Sequence, residues 1–482
     1  KVMDGTINTL VDNASGSQKG AFYVKGHPEF SKSGVLNVVG NLKHAIKSGE
    51  YIELKEATLN VTSAQGDGIN CAQYFLMNSG NVNINNVTDD GIQCDIEDTD
   101  VGSTGETTDH EDEDSGNIYL EGGTININTS GKAAKGIKSE GDLFVKAGTI
   151  NITTTGHGKW DDEDLKTKAA ACLGSDAKVV ISGGTLTLTS TGAGGKGINC
   201  DAEFELSGGD VTIVTKGALY YHNGTTENTN YTGNTDNVNS DYYSSSKGVK
   251  ADGAIKISGG KINVSTAGKN AEGIESKTSI LISNGEVVVN SYDDGINVGG
   301  DGTDLIIEGG YVYSRAMNND GIDGNGNVYV KGGLVYAIGS RDPEVAIDAN
   351  TEESKKLYVQ GGTIIAVGKL ESGASITGGT AKQTTSWSAE TWYALYNGGE
   401  LVAAFKTPTQ SSSSSGGRPG GGGSQALVVY TSSTPTLTSG ITVSGGTEYF
   451  AGAANIGGTV SGGSSVTLSN YTSSGGGPGG RP

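Results

Sequence analysis

Short bursts of alternating apolar and polar residues recur along this chain. They read LEGGTININT (120–129), VKAGTINITT (145–154), ISGGTLTLTS (181–190), LSGGDVTIVT (206–215), ISGGKINVST (257–266), IEGGYVYSRA (307–316), VKGGLVYAIG (330–339) and VQGGTIIAVG (359–368). Each alternates with period two, the pattern of a strand with one buried face. Each also carries a glycine corner just before the alternation starts, usually a Gly-Gly pair. No stretch shows the apolar spacing of an amphipathic helix.

A second phrase marches in step with the first. It appears as DGINC (67–71), DGIQC (90–94), KGIKS (135–139), KGINC (196–200), KGVKA (247–251), EGIES (272–276), DGINV (294–298) and DGIDG (320–324). Looser copies are GAFYV (20–24), HAIKS (44–48), KAAAC (168–172) and VAIDA (345–349). Each unit thus holds about three short strands, none able to bury a face alone. Stacked at about 4.8 Å per rung, about twelve such units form a solenoid roughly 55–60 Å long. The predicted fold is all-β: a parallel β-helix over residues 1–373. From about residue 374 the repeat fades, and 374–482 reads as a β-rich cap or small sandwich. The Gly/Ser/Pro run at 411–424 is expected to be an exposed loop within it. Three insertions, 95–115, 156–167 and 217–246, are expected to leave the coil sideways.

Alternation assigns faces. After the glycine the Ile points inward, the next residue outward and the third inward. The outward column reads Lys47, Asn70, Gln93, Lys138, Asn199, Lys250, Glu275, Asn297, Asp323, Asp348, nearly all polar. The next inward column is small: Ser48, Cys71, Cys94, Ser139, Cys172, Cys200, Ala251, Ser276. Cys71 and Cys94, and likewise Cys172 and Cys200, therefore fall on adjacent coils within disulfide range, about 5 Å between Cα atoms. Two cross-rung disulfides or buried thiols are the alternatives, and bonds would imply an oxidising compartment.

Composition and charge add to this picture. The 80 glycines with only 7 prolines exclude collagen, and the evenly spread apolar alternation argues against disorder. No segment reaches the roughly 20 apolar residues of a membrane span. No signal peptide is visible at Lys1, so the chain reads as a mature or trimmed form. The net charge of −21 repels nucleic acid and anionic membranes and suits divalent cations or an extracellular setting.

The residue two before the Ile carries the charge in blocks. Asp67, Asp89 and Asp90, with Asp95 and Glu97, make one acidic block; Glu272, Asp293, Asp294, Asp320 and Asp323 make another. Stacked carboxylates repel unless neutralised, and Ca²⁺ takes six to eight such hard oxygens in loose geometry, hence about the number two rungs can supply. The alternative is an acidic edge that keeps a sheet protein soluble. Lys135, Lys168, Lys196 and Lys247 form a basic block, suited to a carboxylated sugar or to a ladder with Glu140, Asp201 and Asp252. Trp160, Tyr220, Tyr221, Tyr231, Tyr242 and Tyr243 lie in the inserted loops with His222, where rings stack on sugars or on each other. The acidic loop adds DHEDED (109–114) and His110 as a weaker cation clamp.

The motifs GTINTLVDN (5–13), DGIQC, KGIKS, DDGIN (293–297), the SGGT corners and GGTVSGG (457–463) resemble a bacterial family. It is the secreted carbohydrate-binding, calcium-binding parallel β-helix proteins of clostridia, with a fold similar to pectate lyases. The resemblance implies a right-handed helix, calcium on Asp89, Asp90, Asp293 and Asp294, and affinity for cellulose- or polygalacturonate-like glycans without catalysis. The leading expectation is an extracellular, calcium-stabilised polysaccharide-binding protein. One alternative is a surface filament assembled head-to-tail from copies of the chain. The other is a calcium-dependent polysaccharide lyase, disfavoured because no Arg sits beside the acidic blocks.

Overall fold

A computed structural model describes residues 2–96, 115–235, 237–341, 343–409 and 425–473. Glu97, His110, DHEDED and the 411–424 run lie outside them. Among the described residues the regular structure is strand, with only short 3₁₀ turns and no α-helix. The chain divides into two compact units, Lys1–Glu275 and Ser276–Pro482.

In the first unit the Gly-Ile phrases form one parallel ladder. Gly20–Val24, His44–Ser48, Ile69–Cys71, Ile92–Cys94, Lys135–Ser139, Ala171–Ser175, Lys196–Cys200 and Lys247–Ala251 pair in that order. A second ladder runs through Ile52–Leu54, Tyr74–Met77, Asn117–Leu120, Leu143–Val145, Val179–Ile181 and Phe204–Leu206. The TININT-type bursts make a third, through Thr124–Thr129, Thr149–Thr154, Thr185–Ser190 and Asp210–Thr215. The stacked parallel coils are those of a β-solenoid, as the repeat predicts.

Side chains follow the pleat. Ile125, Ile150, Leu186 and Val211 stack as one buried column, and Ile127, Ile152, Leu188 and Ile213 as another. The intervening residues face out. Asn60, Asn83, Asn126 and Asn151 each donate Nδ2 to Oδ1 of the asparagine one coil earlier, starting at Asn37, over 2.8–2.9 Å. Identical amides at one rung spacing satisfy one another, which explains a polar but uncharged outer face. At the corners the second glycine of each pair takes a left-handed φ. Gly209, at +86°, also has no room for a Cβ, since Gly183 carbon and oxygen would stand 2.9 Å away.

One predicted register is corrected. Ala171, not Lys168, pairs with Lys135 and Lys196, while Ser175, not Cys172, pairs with Ser139 and Cys200. The coil is therefore ACLGS (171–175), and KAAAC (168–172) overlaps it three residues too early. Cys172 and Cys200 are not column neighbours, so that disulfide is excluded by register. Cys71 and Cys94 do stand opposite each other, yet all four cysteines are buried free thiols. Burial pushes the Cys172 and Cys200 thiols up to about 12.

Two insertions form small antiparallel sheets. Lys159–Asp161 pairs with Lys166–Lys168, and Tyr220–His222 lies between Glu227–Asn228 and Tyr243–Ser244.

The second unit opens with coils of the same kind. Leu305–Ile307, Val328–Val330, Leu357–Val359 and Ser375–Ile376 stack in parallel. Tyr311–Ala316, Leu334–Ile338 and Thr363–Val367 form a second parallel run. Leu427–Thr431 then adds antiparallel to Thr363–Val367 and covers that open edge. Trp392–Asn397, Glu400–Lys406 and Pro435–Ser444 belong to a six-stranded antiparallel sheet. Tyr336, Trp387, Tyr393, Phe405 and Phe450 fill the core between it and the last coils.

Candidate functional site

The charged column first serves the backbone. His44 Nδ1 accepts from Asp67 N at 3.1 Å, Asp67 Oδ1 from Asp90 N at 3.1 Å, and Asp90 Oδ1 from Lys135 N at 2.5 Å. The second unit repeats the device, with Asp294 Oδ1 taking Asp320 N and Asp320 Oδ1 taking Val345 N. Each acceptor satisfies a donor one coil on, buried in every case but half-buried Lys135, and a buried donor left alone would cost about 1–3 kcal/mol. Lysine has no acceptor, so the first chain of bonds stops at Lys135.

The same carboxylates also converge. Oxygens of Asp67, Asp89 and Asp90 lie within 4.8 Å of one another in the first unit. Asp67 and Asp90 are buried, and Asp89 is exposed. Burial raises Asp90 to about 7, with Lys135 opposing and Asp67 reinforcing. Burial and the Asp67 charge raise Asp89 as well. Asp67 Oδ2 accepts Asn70 Nδ2 at 2.6 Å and lies 3.1 Å from His44 Nδ1. Asp95 takes Gln93 Nε2 at 2.5 Å and Asn70 Nδ2 at 3.3 Å, so it faces the neighbouring outward column.

In the second unit the group is Asp320, Asp323 and Asp348, within the same 4.8 Å. Burial raises Asp320 to about 7 against the Val345 N–H, with Asp323 adding to the rise. Burial raises Asp348 to about 11, and a hydrogen bond with Glu371 and the charges of Asp320 and Asp323 act in the same direction. Asp348 is readable in the outward column, one coil after Asp323, but its partner Glu371 is not. Asp294 is buried at the corner before Asp320, and Asp293 beside it is half-buried. Glu272 departs from its predicted block: with Glu275 it grips Lys247.

The lysines divide. Lys135, Lys196 and Lys247 share a column, whereas Lys168 lies on the inserted hairpin and pairs with Asp161 at 2.7 Å and Asp164 at 3.0 Å. The expected partners five residues on are replaced. Asp252 takes Lys250, and Asp176 takes Lys138. Burial pulls Lys247 down, but Glu272 and Glu275 together carry it above the usual lysine range. Lys196 is buried with no carboxylate in contact among the described residues. It donates to Ser244 Oγ at 2.6 Å and Gly194 O at 3.3 Å, and burial, then Lys250 and Lys247, pull it down to about 7.

Among the loop aromatics, Trp160 is sandwiched between His222 at 5.0 Å and Tyr242 at 5.3 Å, rings nearly parallel. Tyr221 stacks on Tyr231 at 4.4 Å. Tyr220 is fully buried against His157, and Tyr243 pairs with Tyr221 across the small sheet. These rings pack largely on one another. A second aromatic array escaped the loop-centred reading. His27, Tyr51 and Tyr74 stack at 4.3 and 4.6 Å, Tyr119 meets Tyr74 edge-on at 6.4 Å, and Phe144 stacks on Tyr119 at 5.3 Å. Tyr74, Tyr119 and Phe144 are half-buried and alternate with buried neighbours, which puts them on the outer face of the second ladder. The signal was present as Tyr or Phe at outward positions of that strand.

No curated protein and no solved structure matches the chain. Residues 1–218, under half of its length, match a family described as carbohydrate-binding domain-containing protein. That match and the stacked parallel coils fit the clostridial carbohydrate-binding β-helix family that the repeat motifs resemble.

Proposed function

We propose that the chain is an extracellular, non-catalytic polysaccharide-binding protein, stabilised by calcium. The observation that carries the glycan reading is the aromatic stripe from Tyr51 to Phe144, which lies inside the span matched by the carbohydrate-binding family. These rings also stack on one another, but Tyr74, Tyr119 and Phe144 are half-buried on a rigid ladder and so present their outer edges, with the tyrosine hydroxyls, to a sugar chain at little entropy cost. An uncharged asparagine face on the adjacent ladder supplies donors and acceptors. Such a surface suits a neutral, cellulose-like chain. A polygalacturonate-like chain would need cations between its carboxylates and a protein of charge −21.

Calcium would be held in the second unit by Asp320, Asp323 and Asp348, with Glu371 behind Asp348. The donor set fits: three hard-oxygen side chains converge, and every influence on Asp348 favours a proton that a divalent cation would replace. Asp89 and Asp90 are the corresponding candidates in the first unit.

The test is glycan-array binding with calcium and with EGTA, for the wild type, a Tyr119→Ala/Phe144→Ala variant and Asp348→Asn. Loss of binding in the aromatic variant, with its circular dichroism retained, is the expected result. No binding by the wild type would overturn the glycan reading, and release of unsaturated oligosaccharide would overturn the non-catalytic one. Calcium should raise the wild-type melting temperature by more than that of Asp348→Asn, which keeps only the first-unit candidates; equal shifts would remove Asp348 from the calcium site.

A further inference from the structure

Lys47 and Asn70 stand opposite each other on adjacent coils, both 3% exposed. Lys47 Nζ donates to Asn70 Oδ1 at 2.6 Å. With a carbonyl bond of about 1.2 Å, the amine nitrogen is then within about 3.8 Å of the amide carbon Cγ. The other end of the same amide is held too: Asn70 Nδ2 donates to Asp67 Oδ2 at 2.6 Å and to Asp95 Oδ2 at 3.3 Å. The ammonium admits only an oxygen and the carboxylates only a nitrogen, so the amide has one orientation. Its carbonyl faces the nucleophile, and its leaving nitrogen faces two carboxylates.

We propose that Lys47 and Asn70 are the site of a self-formed isopeptide cross-link between neighbouring coils. Nζ gives up protons and adds to Cγ; the Cγ–Nδ2 bond breaks; Nδ2 departs as ammonium. An ammonium side chain and a primary amide go to a secondary amide and one ammonium ion, so atoms and charge balance and no oxidant or energy source is needed. The two protons that Nζ loses are the two that Nδ2 gains, and the hydrogen bonds of Nδ2 to Asp67 and Asp95 hold the departing nitrogen on the far side from Nζ. Fixing both partners on stacked strands supplies the proximity that makes an amide, normally inert to amines, reactive. Burial removes the water that would keep the amine solvated.

The second unit contains an internal contrast. Lys382 Nζ also meets Asn470 Oδ1 at 2.6 Å, but in an exposed setting. The same amine-to-amide contact in water should stay unreacted.

Intact-mass measurement of the denatured full chain, then tandem mass spectrometry of its tryptic peptides, tests this. The wild type should be lighter than its sequence by one ammonia. One branched peptide should join the segments containing Lys47 and Asn70, with no cleavage after Lys47, while the Lys382 and Asn470 peptides stay linear. Lys47→Arg, which keeps the charge, should restore the full mass. A wild type at full mass overturns the proposal without any variant being needed. So does an ammonia loss that persists in Lys47→Arg, which would mark cyclisation of Asn70 on its own backbone.

Discussion

Replacing Lys196 by Met should stabilise the first unit, most at low pH. The amine is buried, makes its closest contact with Ser244 Oγ at 2.6 Å, and lies near the charges of Lys247 and Lys250. Its pKa falls from 10.5 in the open chain to about 7, with burial the larger cause. At about 1.4 kcal/mol per unit, charging it inside the fold costs on the order of 5 kcal/mol. The sign follows from proton counting. Below about pH 7 both states carry the proton and the full cost is present; between about 7 and 10.5 only the unfolded chain carries it, so folding gains stability as pH rises. Methionine has similar length and no charge to desolvate; Ser244 keeps its bond to Gly194 O at 2.9 Å, and the bond to Ser245 O that is given up is a long one, 3.5 Å. Calorimetry of wild type and Lys196→Met from pH 6 to 10 should show the variant melting higher at pH 6, by on the order of 10 °C. The gap should close toward alkaline pH. Parallel curves across that range would refute a neutral buried amine at this position.

The remaining predictions concern the corners and the thiols. Gly91→Ala should cost about 1–3 kcal/mol or more, because its Cβ would press on Gly136 O and Ile127 Cγ2 of the next coil. Hydrogen exchange should quicken locally around Ile92–Cys94 and Lys135–Ser139, and unchanged exchange there would contradict the packing. The four cysteines should resist a thiol reagent in the native chain and all react once it is denatured without reductant; fewer than four reactive thiols would mean a disulfide.

The repeat made the solenoid legible, because a glycine corner and a period-two strand are local signals that survive in every coil. It misled at one coil. KAAAC (168–172) imitates the Lys-x-x-x-Cys frame of KGINC (196–200), but Lys168 belongs to a hairpin that rejoins the ladder only at Ala171. The true coil has Ala171 where its neighbours have lysine and Gly174 where they have polar side chains, so its own column residues hid it. The aromatic stripe was missed for another reason. Tyr74, Tyr119 and Phe144 are 45 and 25 residues apart, and only a register that carries the chain across the 95–115 insertion brings them together. Glu371 behind Asp348 is similarly non-local.

The acids of the Asp-Gly-Ile phrase have a use that does not depend on metal. Asp67, Asp90, Asp294 and Asp320 each accept a corner N–H, or the one before it in the same column, so their recurrence follows from stacking alone. Removing one of them should weaken the coil whether or not calcium binds, and so cannot by itself identify a ligand. Asp348 differs. It sits in the outward column, half-buried, with Glu371 hydrogen-bonded to it and Asp320 and Asp323 beside it. Three neighbours of like charge around a carboxyl gain nothing from one another, and burial worsens the balance. At the first cluster Lys135 offsets part of that repulsion at Asp90; at Asp348 all the principal influences raise the pKa. The demand for a cation is therefore greatest at the member of the column that backbone satisfaction does not explain.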